Sequence, residues 1–428
     1  MFKKLLQFKL RLLASLVLKK YKPLVVAITG SVGKTSTKEA IYCVLCAKFS
    51  SDGVRRNIKN YNNEIGVPLT ILGLESAGNN FFGWLAIVAN GLKMLLSKVD
   101  YPEVLILEMG ADRPGDIKYL TSFIKPKIAV VTAIGEVPVH VEFFSSPAQV
   151  AREKAVLVQA AAKDGWAVLN YDDEAVRRMM EKTIDVITYG LTEGADVRAV
   201  NLEMNSLLAG GGINFKVDYQ GKIFPLRLKG VLGRHQIYAI LAAVCIGLKF
   251  NMNLVEIADA LGDYHSPPGR MKLLSGIKHS WIIDDSYNAA PLSTAEALTA
   301  LNDIVIGDGA KKIAVLGDML ELGQFTEREH RKIGKQAAKI VDLIFTVGAR
   351  AKFIADQARE AGFPPQNIFS FDTSDEAKLA VQGHLREGDL ILVKGSQGVR
   401  MEKVVEEIMA EPLRAKELLA RQDEGWNK

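Results

Sequence analysis

The chain has little cysteine. Three thiols in 428 residues, Cys43, Cys46 and Cys245, exclude a disulfide framework and fit a reducing compartment such as the cytoplasm. Cys43-Val-Leu-Cys46 has the spacing of half a zinc or redox site, but no second pair exists to complete it, so packing inside a helix is the expected role. The N-terminal segment lacks a long apolar run as well. Near the N-terminus the longest uncharged stretch, Leu12 to Leu18, is far too short to cross a bilayer, and no small-residue cleavage site follows it. Nor is there a strong excess of one charge. The formal net charge is +5, and residues 1–22 alone hold seven basic side chains (Lys3, Lys4, Lys9, Arg11, Lys19, Lys20, Lys22) and no acidic one. The rest is near neutral, which argues against a nucleic-acid partner. Neither an internal repeat nor a low-complexity tract interrupts the sequence.

What is present is alternation of strands and helices. Apolar runs of the kind buried on both faces of a parallel sheet predict strands over 24–29, 104–107, 128–132, 167–169 and 186–189, with a helix over 34–48. Residues 196–228 have a hairpin texture, with turn signals at Gly210-Gly211-Gly212 and Gln220-Gly221. An Ala- and Leu-rich helix is expected over 235–249. Ser266-Pro267-Pro268-Gly269-Arg270 is the clearest punctuation. A second alternation follows it, with strands over 281–284, 312–316, 343–347 and 390–393. A chain of this length builds two or three cores.

The first expected strand leads into Thr29-Gly30-Ser31-Val32-Gly33-Lys34-Thr35-Ser36-Thr37. Backbone N–H groups of such a turn and the following helix N-terminus face phosphates, Lys34 neutralises them, and the Thr35 hydroxyl can hold Mg²⁺. Ile28 stands where the general P-loop pattern asks for glycine. The reading is an ATP site and an α/β chain in two parts. A central P-loop ATPase domain with a mostly parallel sheet (23–268) precedes a C-terminal Rossmann-like α/β domain (269–428).

Further groups lie at expected strand ends, where ligands bind in parallel α/β sheets. Glu108 ends one strand and suits Mg²⁺; His140 follows another. Asn60, Asn62 and Asn63 form an amide-rich loop before a turn into an apolar helix. Residues 1–22 read as a basic amphipathic helix, with Leu6, Leu10, Leu13 and Val17 opposite Lys4, Gln7, Arg11 and Ser15. Two arrangements stay open for it: lying on an anionic membrane surface, or docked on the protein's own body.

Together, Thr29–Thr37, Asn62–Thr70, Glu108-Met109-Gly110-Ala111, Gly233-Arg234-His235, Gly269-Arg270-Met271, Asp284–Ala289, Val315–Gly323 and Lys394-Gly395-Ser396 resemble the Mur ligases, most of all those of MurF type. The resemblance spans residues 23 to 407. It implies a cytoplasmic, monomeric ATP-dependent ligase of peptidoglycan synthesis, at most associated with the inner face of the membrane. Such an enzyme adds D-Ala-D-Ala, or a similar amine, to a muramoyl-peptide carboxylate through an acyl phosphate. By resemblance, ATP is bound by Thr29, Gly30, Ser31, Gly33, Lys34, Thr35, Ser36, His235, Arg270, Asp285 and Asn288. Mg²⁺ is held by Thr35, Glu108, His140 and a carbamate formed from Lys154 and CO₂. Asn60, Asn62 and Asn63 meet the acceptor; Lys394, Gly395 and Ser396 lie near the incoming amino acid or dipeptide. Lys34, Lys154, His140 and Arg270 are the implied catalytic groups.

The chain departs from the family at Gln236 and Ala239, where asparagines are usual, and at Ala290. Only 22 residues precede Pro23, too few for the α/β domain with which MurF-type enzymes grip a uridine diphosphate. The expectation is that this group is held otherwise, or that the acceptor differs and is lipid-linked or non-muramoyl. The alternatives are a relative acting on another carboxylate, as folylpolyglutamate and cyanophycin synthetases do, or a non-catalytic ATP-binding scaffold.

Overall fold

The strand Leu24–Thr29 (β1) is apolar on both sides because both sides are covered. Val26 and Ile28 enter one buried cluster, Val25 and Ala27 the other. The same period-two division holds for Val104–Glu108 (β3), whose Val104 and Ile106 face away from Leu105 and Leu107. With Val54–Arg56 (β2), Ile128–Val131 (β4), Trp166–Asn170 (β5), Val186–Gly190 (β6), Val197–Met204 (β7), Gly212–Tyr219 (β8) and Lys222–Lys229 (β9), they form one nine-stranded sheet. Its order is β2-β3-β1-β4-β5-β6-β7-β8-β9, parallel as far as β7 and antiparallel beyond it. The turn between β8 and β9 is the one signalled by Gln220-Gly221, both at positive φ, as a two-residue hairpin turn requires. These features belong to a computed structural model that describes residues 2–58, 61–180, 185–205, 207 and 210–422.

Helices cover both faces of this sheet. Lys34–Phe49 (α2, with Phe2–Tyr21 as α1) packs with the helix His235–Lys249 on one face. The other face is covered by α1, Gly66–Leu72 (α3), Phe81–Leu96 (α4), Asp116–Thr121 (α5) and Pro147–Gln159 (α6). Cys43 and Cys46 pack against the core from α2, and burial pushes the Cys43 thiol up to about 11 and Cys46 upward too. Both therefore stay protonated thiols.

One of the two arrangements left open for residues 1–22, docking on the protein's own body, is present. Leu6, Leu10, Leu13, Ala14 and Val17 are buried in the protein's own core, so the face read as the apolar side of a membrane helix is not available to lipid. No helix among the described residues is long and apolar enough to cross a membrane.

A six-stranded sheet follows: Lys272–Ser275 (β10), Trp281–Asp285 (β11), Lys312–Gly317 (β12), Leu343–Val347 (β13), Ile368–Phe371 (β14) and Leu390–Lys394 (β15). Its order is β10-β11-β15-β12-β13-β14, with β10 antiparallel and the rest parallel. Insertion of β15 between β11 and β12 puts the ends of β11 and β15 beside each other, and Asp285 pairs in register with Lys394.

Candidate active site

The turn after β1 is held open by its glycines. A Cβ on Gly30, which has φ +150°, would lie 1.8 Å from Thr132 Oγ1. Gly33, at φ 86°, then starts α2 with no side-chain cap, which leaves the helix N-terminus free to receive an anion. Lys34 folds back over this turn, its Nζ donating to Gly30 O at 2.9 Å. Burial lowers its pKa, Arg270 adds to that effect, and Glu108 opposes it.

Glu108 sits at the centre of a polar cluster. Thr35 Oγ1 donates to one carboxylate oxygen at 2.9 Å and Asn62 Nδ2 to the other at 3.2 Å. Burial alone would raise the pKa of Glu108, but Lys38, Lys34 and Arg270 outweigh it and hold the group below its usual range. A carboxylate and a hydroxyl this close are an apt pair of hard oxygen donors for Mg²⁺, which binds through one or two carboxylates plus phosphates and water. Among the described residues no cluster of three or more His, Cys, Asp or Glu side chains forms a self-sufficient metal cage. Two protein oxygens completed by a nucleotide remain a good fit.

Lys154 is buried on α6 and donates to the same Gly30 carbonyl at 3.0 Å. Burial, reinforced by Lys34, brings its pKa down to about 7. His140, at a left-handed φ of 67°, lies between two carboxylates: Nε2 is 3.3 Å from Asp112, and Nδ1 touches Glu321 of the loop after β12. His140 could bind a metal only by giving up one of these contacts, and Asp112 is the more exposed of the two.

The second sheet contributes the opposite wall. Arg270 stacks on Tyr287, its Cζ 4.0 Å from the ring centroid, a cation–π contact. Its carbonyl accepts from Gln236 Nε2 at 3.2 Å, and Gln236 Oε1 accepts from Tyr264 at 3.2 Å. Gln236, one of the departures noted above, thereby ties α2's neighbouring helix to the Arg270 turn. Asp285 accepts from Lys394 Nζ at 2.5 Å and from Met271 N at 3.2 Å; Lys394 also donates to Asn288 O. Lys394 is thus a buried structural cation at the floor rather than a free one. His235 has a buried, unpartnered Nδ1. Burial lowers its pKa to about 4, so it is a neutral ring at physiological pH.

Ser31, Gly33, Lys34, Thr35, Ser36, Asn62, Asn63, Glu108, His140, His235, Arg270, Asp285, Asn288 and Lys394 all line one cavity of about 1090 Å³ between the two sheets. Thr29, Gly30, Lys154, Gly395 and Ser396 do not line it. Ser396 instead braces a neighbouring loop, accepting from Leu320 N at 2.8 Å. Asn63 braces the turn that leads into α3, its Oδ1 accepting from Ile65 N and Gly66 N. Asn60 falls outside the described residues.

Four groups of the site were not read from the sequence. Buried Lys38 donates to Asn57 O at 2.9 Å, and Asn57 Oδ1 accepts from Glu108 N at 2.5 Å; Asp112 and Glu321 hold His140. Lys38 had a signal, since it lies one helical turn beyond Lys34 and so shares its face. Glu321 lies within the Val315–Gly323 motif; Asn57 and Asp112 had no signal.

Asp284, buried beneath Asp285, accepts from Gly269 N and Ser286 N, yet burial raises its pKa to about 6. A carboxyl that binds its proton more tightly folded than unfolded penalises folding above about pH 6, and the penalty fades as pH falls toward 4. Relative to Asp284→Asn, the natural chain is expected to gain about 1 kcal/mol between pH 7.5 and pH 5. Urea melts of both proteins at the two pH values check this, and a constant difference would refute it.

Comparison with known proteins agrees with this geometry. Residues 28–82 and 89–247 match the Mur ligase middle domain, and residues 269–397 match the Mur ligase, glutamate ligase domain. The UDP-N-acetylmuramoyl-tripeptide–D-alanyl-D-alanine ligase of Bacillus subtilis is 28% identical over 390 residues, covering 91% of this chain and 76% of that one. Its counterpart in Mycobacterium leprae is 30% identical over 402 residues, covering 88% and 71%. Among solved structures, the MurF ligase of Thermotoga maritima in complex with ADP superposes with a TM-score of 0.77 at 25% identity, covering 96% of this chain and 84% of that one. A folylpolyglutamate synthase of Mycobacterium tuberculosis shares the fold, with a TM-score of 0.64 at 14% identity, covering 93% and 95%.

Proposed function

The chain belongs to the Mur ligase family, and we propose that it joins D-Ala-D-Ala, or a similar amine, to the carboxylate of a muramoyl peptide at the expense of ATP. The supporting observation is convergence: the glycine turn, Lys34, Glu108 and Arg270 come from separate segments of both sheets and face one cavity. In this reading residues 23–268 form the ATP-binding unit, residues 269–428 close over it, and the enzyme acts as a monomer.

An acceptor carboxylate oxygen attacks the γ-phosphorus, and the bond from that phosphorus to the β–γ bridging oxygen breaks, giving an acyl phosphate and ADP. The amine nitrogen then attacks the acyl carbon; phosphate leaves as the amide forms, and the amine surrenders a proton. Little covalent help is needed from the protein, so positioning and charge neutralisation supply most of the rate. Backbone N–H groups at the start of α2 and Lys34 receive the β- and γ-phosphates. Arg270 adds positive charge from the opposite wall, and Asp285, Asn288 and neutral His235 offer polar contacts to the nucleoside. Asn62 faces the acceptor side while holding Glu108.

Thr35 and Glu108 would hold one Mg²⁺, and His140 with a carbamylated Lys154 a second; bound there, the ions would neutralise the phosphate oxygens. Carbamate formation joins the neutral Lys154 amine to CO₂ and releases one proton. Its low pKa favours this, and so does a carbonyl rather than a carboxylate as its hydrogen-bond partner.

The test supplies ATP, Mg²⁺, D-Ala-D-Ala and UDP-muramoyl tripeptide, and reads phosphate release and product mass together. A product heavier by the dipeptide, with one phosphate per product, is the expected result. ATP binding without any product would overturn the acceptor assignment, and a lipid-linked muramoyl peptide would be the next acceptor offered.

A further inference from the structure

Docking of α1 uses only half of its apolar surface. Leu5, Phe8, Leu12 and Leu16 follow one another at three- and four-residue spacing along the side away from the core, and all are exposed. The neighbouring helix α4 does the same. Trp84, Ile87 and Gly91 face inward, while Phe81, Phe82, Leu85, Leu92 and Leu96 face water, with Phe82 at 78% and Leu96 at 88% of full exposure. A solvated helix face is normally polar, and leaving this many large apolar side chains wet on two adjoining helices is unfavourable for a protein that has no use for them.

The two helices are fastened together. Gly91 lets α4 approach α1, because a Cβ there would lie 3.0 Å from Leu13 Cδ1. Lys20 Nζ donates to the last carbonyls of α4, at 2.8 Å to Met94 O and 3.0 Å to Leu95 O, and Tyr21 donates to Met94 O at 2.8 Å. The Mur middle-domain match passes over residues 83–88, the first turns of α4.

The charge carried by the two helices is of one sign, and Lys3 pairs with Glu64 of the bordering loop at 3.6 Å. Residues 2–22 and 81–99 contain no Asp or Glu. Lys4, Lys9, Lys19 and Lys93 are exposed, and none has an acidic partner among the described residues. We propose that α1 and α4 together form a docking surface for an anionic phospholipid bilayer, with their aromatic and aliphatic side chains entering the headgroup region and the lysines meeting lipid phosphates. Charge complementarity selects this occupant. A second copy seated on the same surface would bring two sets of lysines together, because a two-fold interface pairs a patch with itself. The surface also borders the acceptor loop: Gln7 of α1 donates to Glu64 at 2.8 Å, and Glu64 follows Asn62 and Asn63. The proposal concerns binding alone and does not depend on the ligase reading.

The test is sedimentation of the full chain with vesicles of phosphatidylcholine and phosphatidylglycerol, against vesicles of phosphatidylcholine only, with solution mass measured by light scattering. Binding to the anionic vesicles that weakens in high salt is expected. Each lysine near the surface is worth about five-fold, so Lys4→Gln, Lys9→Gln and Lys19→Gln combined should weaken binding about 100-fold. Phe82→Ser with Leu96→Ser, both at exposed positions, should weaken it at least about 10-fold, with an unchanged melting temperature. Absence of binding to anionic vesicles at low salt would overturn the proposal. So would binding indifferent to both variants, or a dimer that Phe82→Ser disperses in a chain that ignores vesicles.

Discussion

Replacing Lys34 with Met is expected to lower phosphate release by about 10³-fold, the scale of losing one preorganised charged donor at the reacting group. The side chain keeps its length and apolar stem, so the lining of the turn should survive; what disappears is the ammonium. At rest that ammonium donates to Gly30 O, a neutral carbonyl it can leave for phosphate oxygens at no cost in ion pairing. Burial already lowers its pKa, so an incoming polyanion strengthens its charged form. Arg at this position should not rescue the activity. A planar fork is longer than the ammonium and cannot sit over a turn this tight as a point charge. Binding of a fluorescent ADP analogue and the melting temperature, measured beside turnover, separate lost chemistry from lost folding. Phosphate release within ten-fold of the natural chain would refute the role given to Lys34.

The segment around Lys34 was legible because everything that defines it is local. A β-branched run, two glycines at fixed spacing and a helix start all lie within Val25–Thr37, and the elements form where those signals put them. Glu108 was legible for a related reason, as a charged residue ending a buried apolar strand. The supports of both were not. Asn57 and Lys38 matter to Glu108 only because β2 lies beside β3 and α2 crosses nearby, and no pattern in three residues of Val54–Arg56 announces a strand. The edge strands β10 and β14 were missed likewise, since short strands half open to solvent lack the continuous apolar run that marks β1 or β15.

The helix α4 escaped sequence reading for the opposite reason. Phe81–Leu96 is apolar around most of its circumference, so its periodicity does not distinguish an inner from an outer face. Only the burial of Trp84, Ile87 and Gly91 shows which side faces the protein and leaves Phe82, Leu85, Leu92 and Leu96 exposed. Amphipathicity did identify the buried side of α1, but it says nothing about what that side packs on.

Lys154→Arg is expected to lower turnover by about 10²-fold or more although it preserves a positive charge, because the proposed role needs a neutral amine and not a cation. An arginine is never deprotonated in a protein and cannot take up CO₂. Removing dissolved CO₂ from the natural enzyme should cause a similar loss, reversed on adding bicarbonate, whereas the variant should respond to neither. The pH dependence has a definite sign. With a pKa of about 7, the neutral amine dominates above that value and falls about ten-fold per pH unit below it. Forming the carbamate releases a further proton, so at fixed dissolved CO₂ the ratio of carbamate to ammonium should fall about 100-fold per pH unit below pH 7, and occupancy should keep rising with pH above 7 until the site is filled. A carbon NMR spectrum under labelled CO₂ reads the modification without any reliance on turnover: a carbamate signal is expected from the natural chain and not from the arginine variant. Full activity of Lys154→Arg would assign the residue instead to holding the Gly30 carbonyl as a plain cation, and the second metal site would then lack one of its ligands.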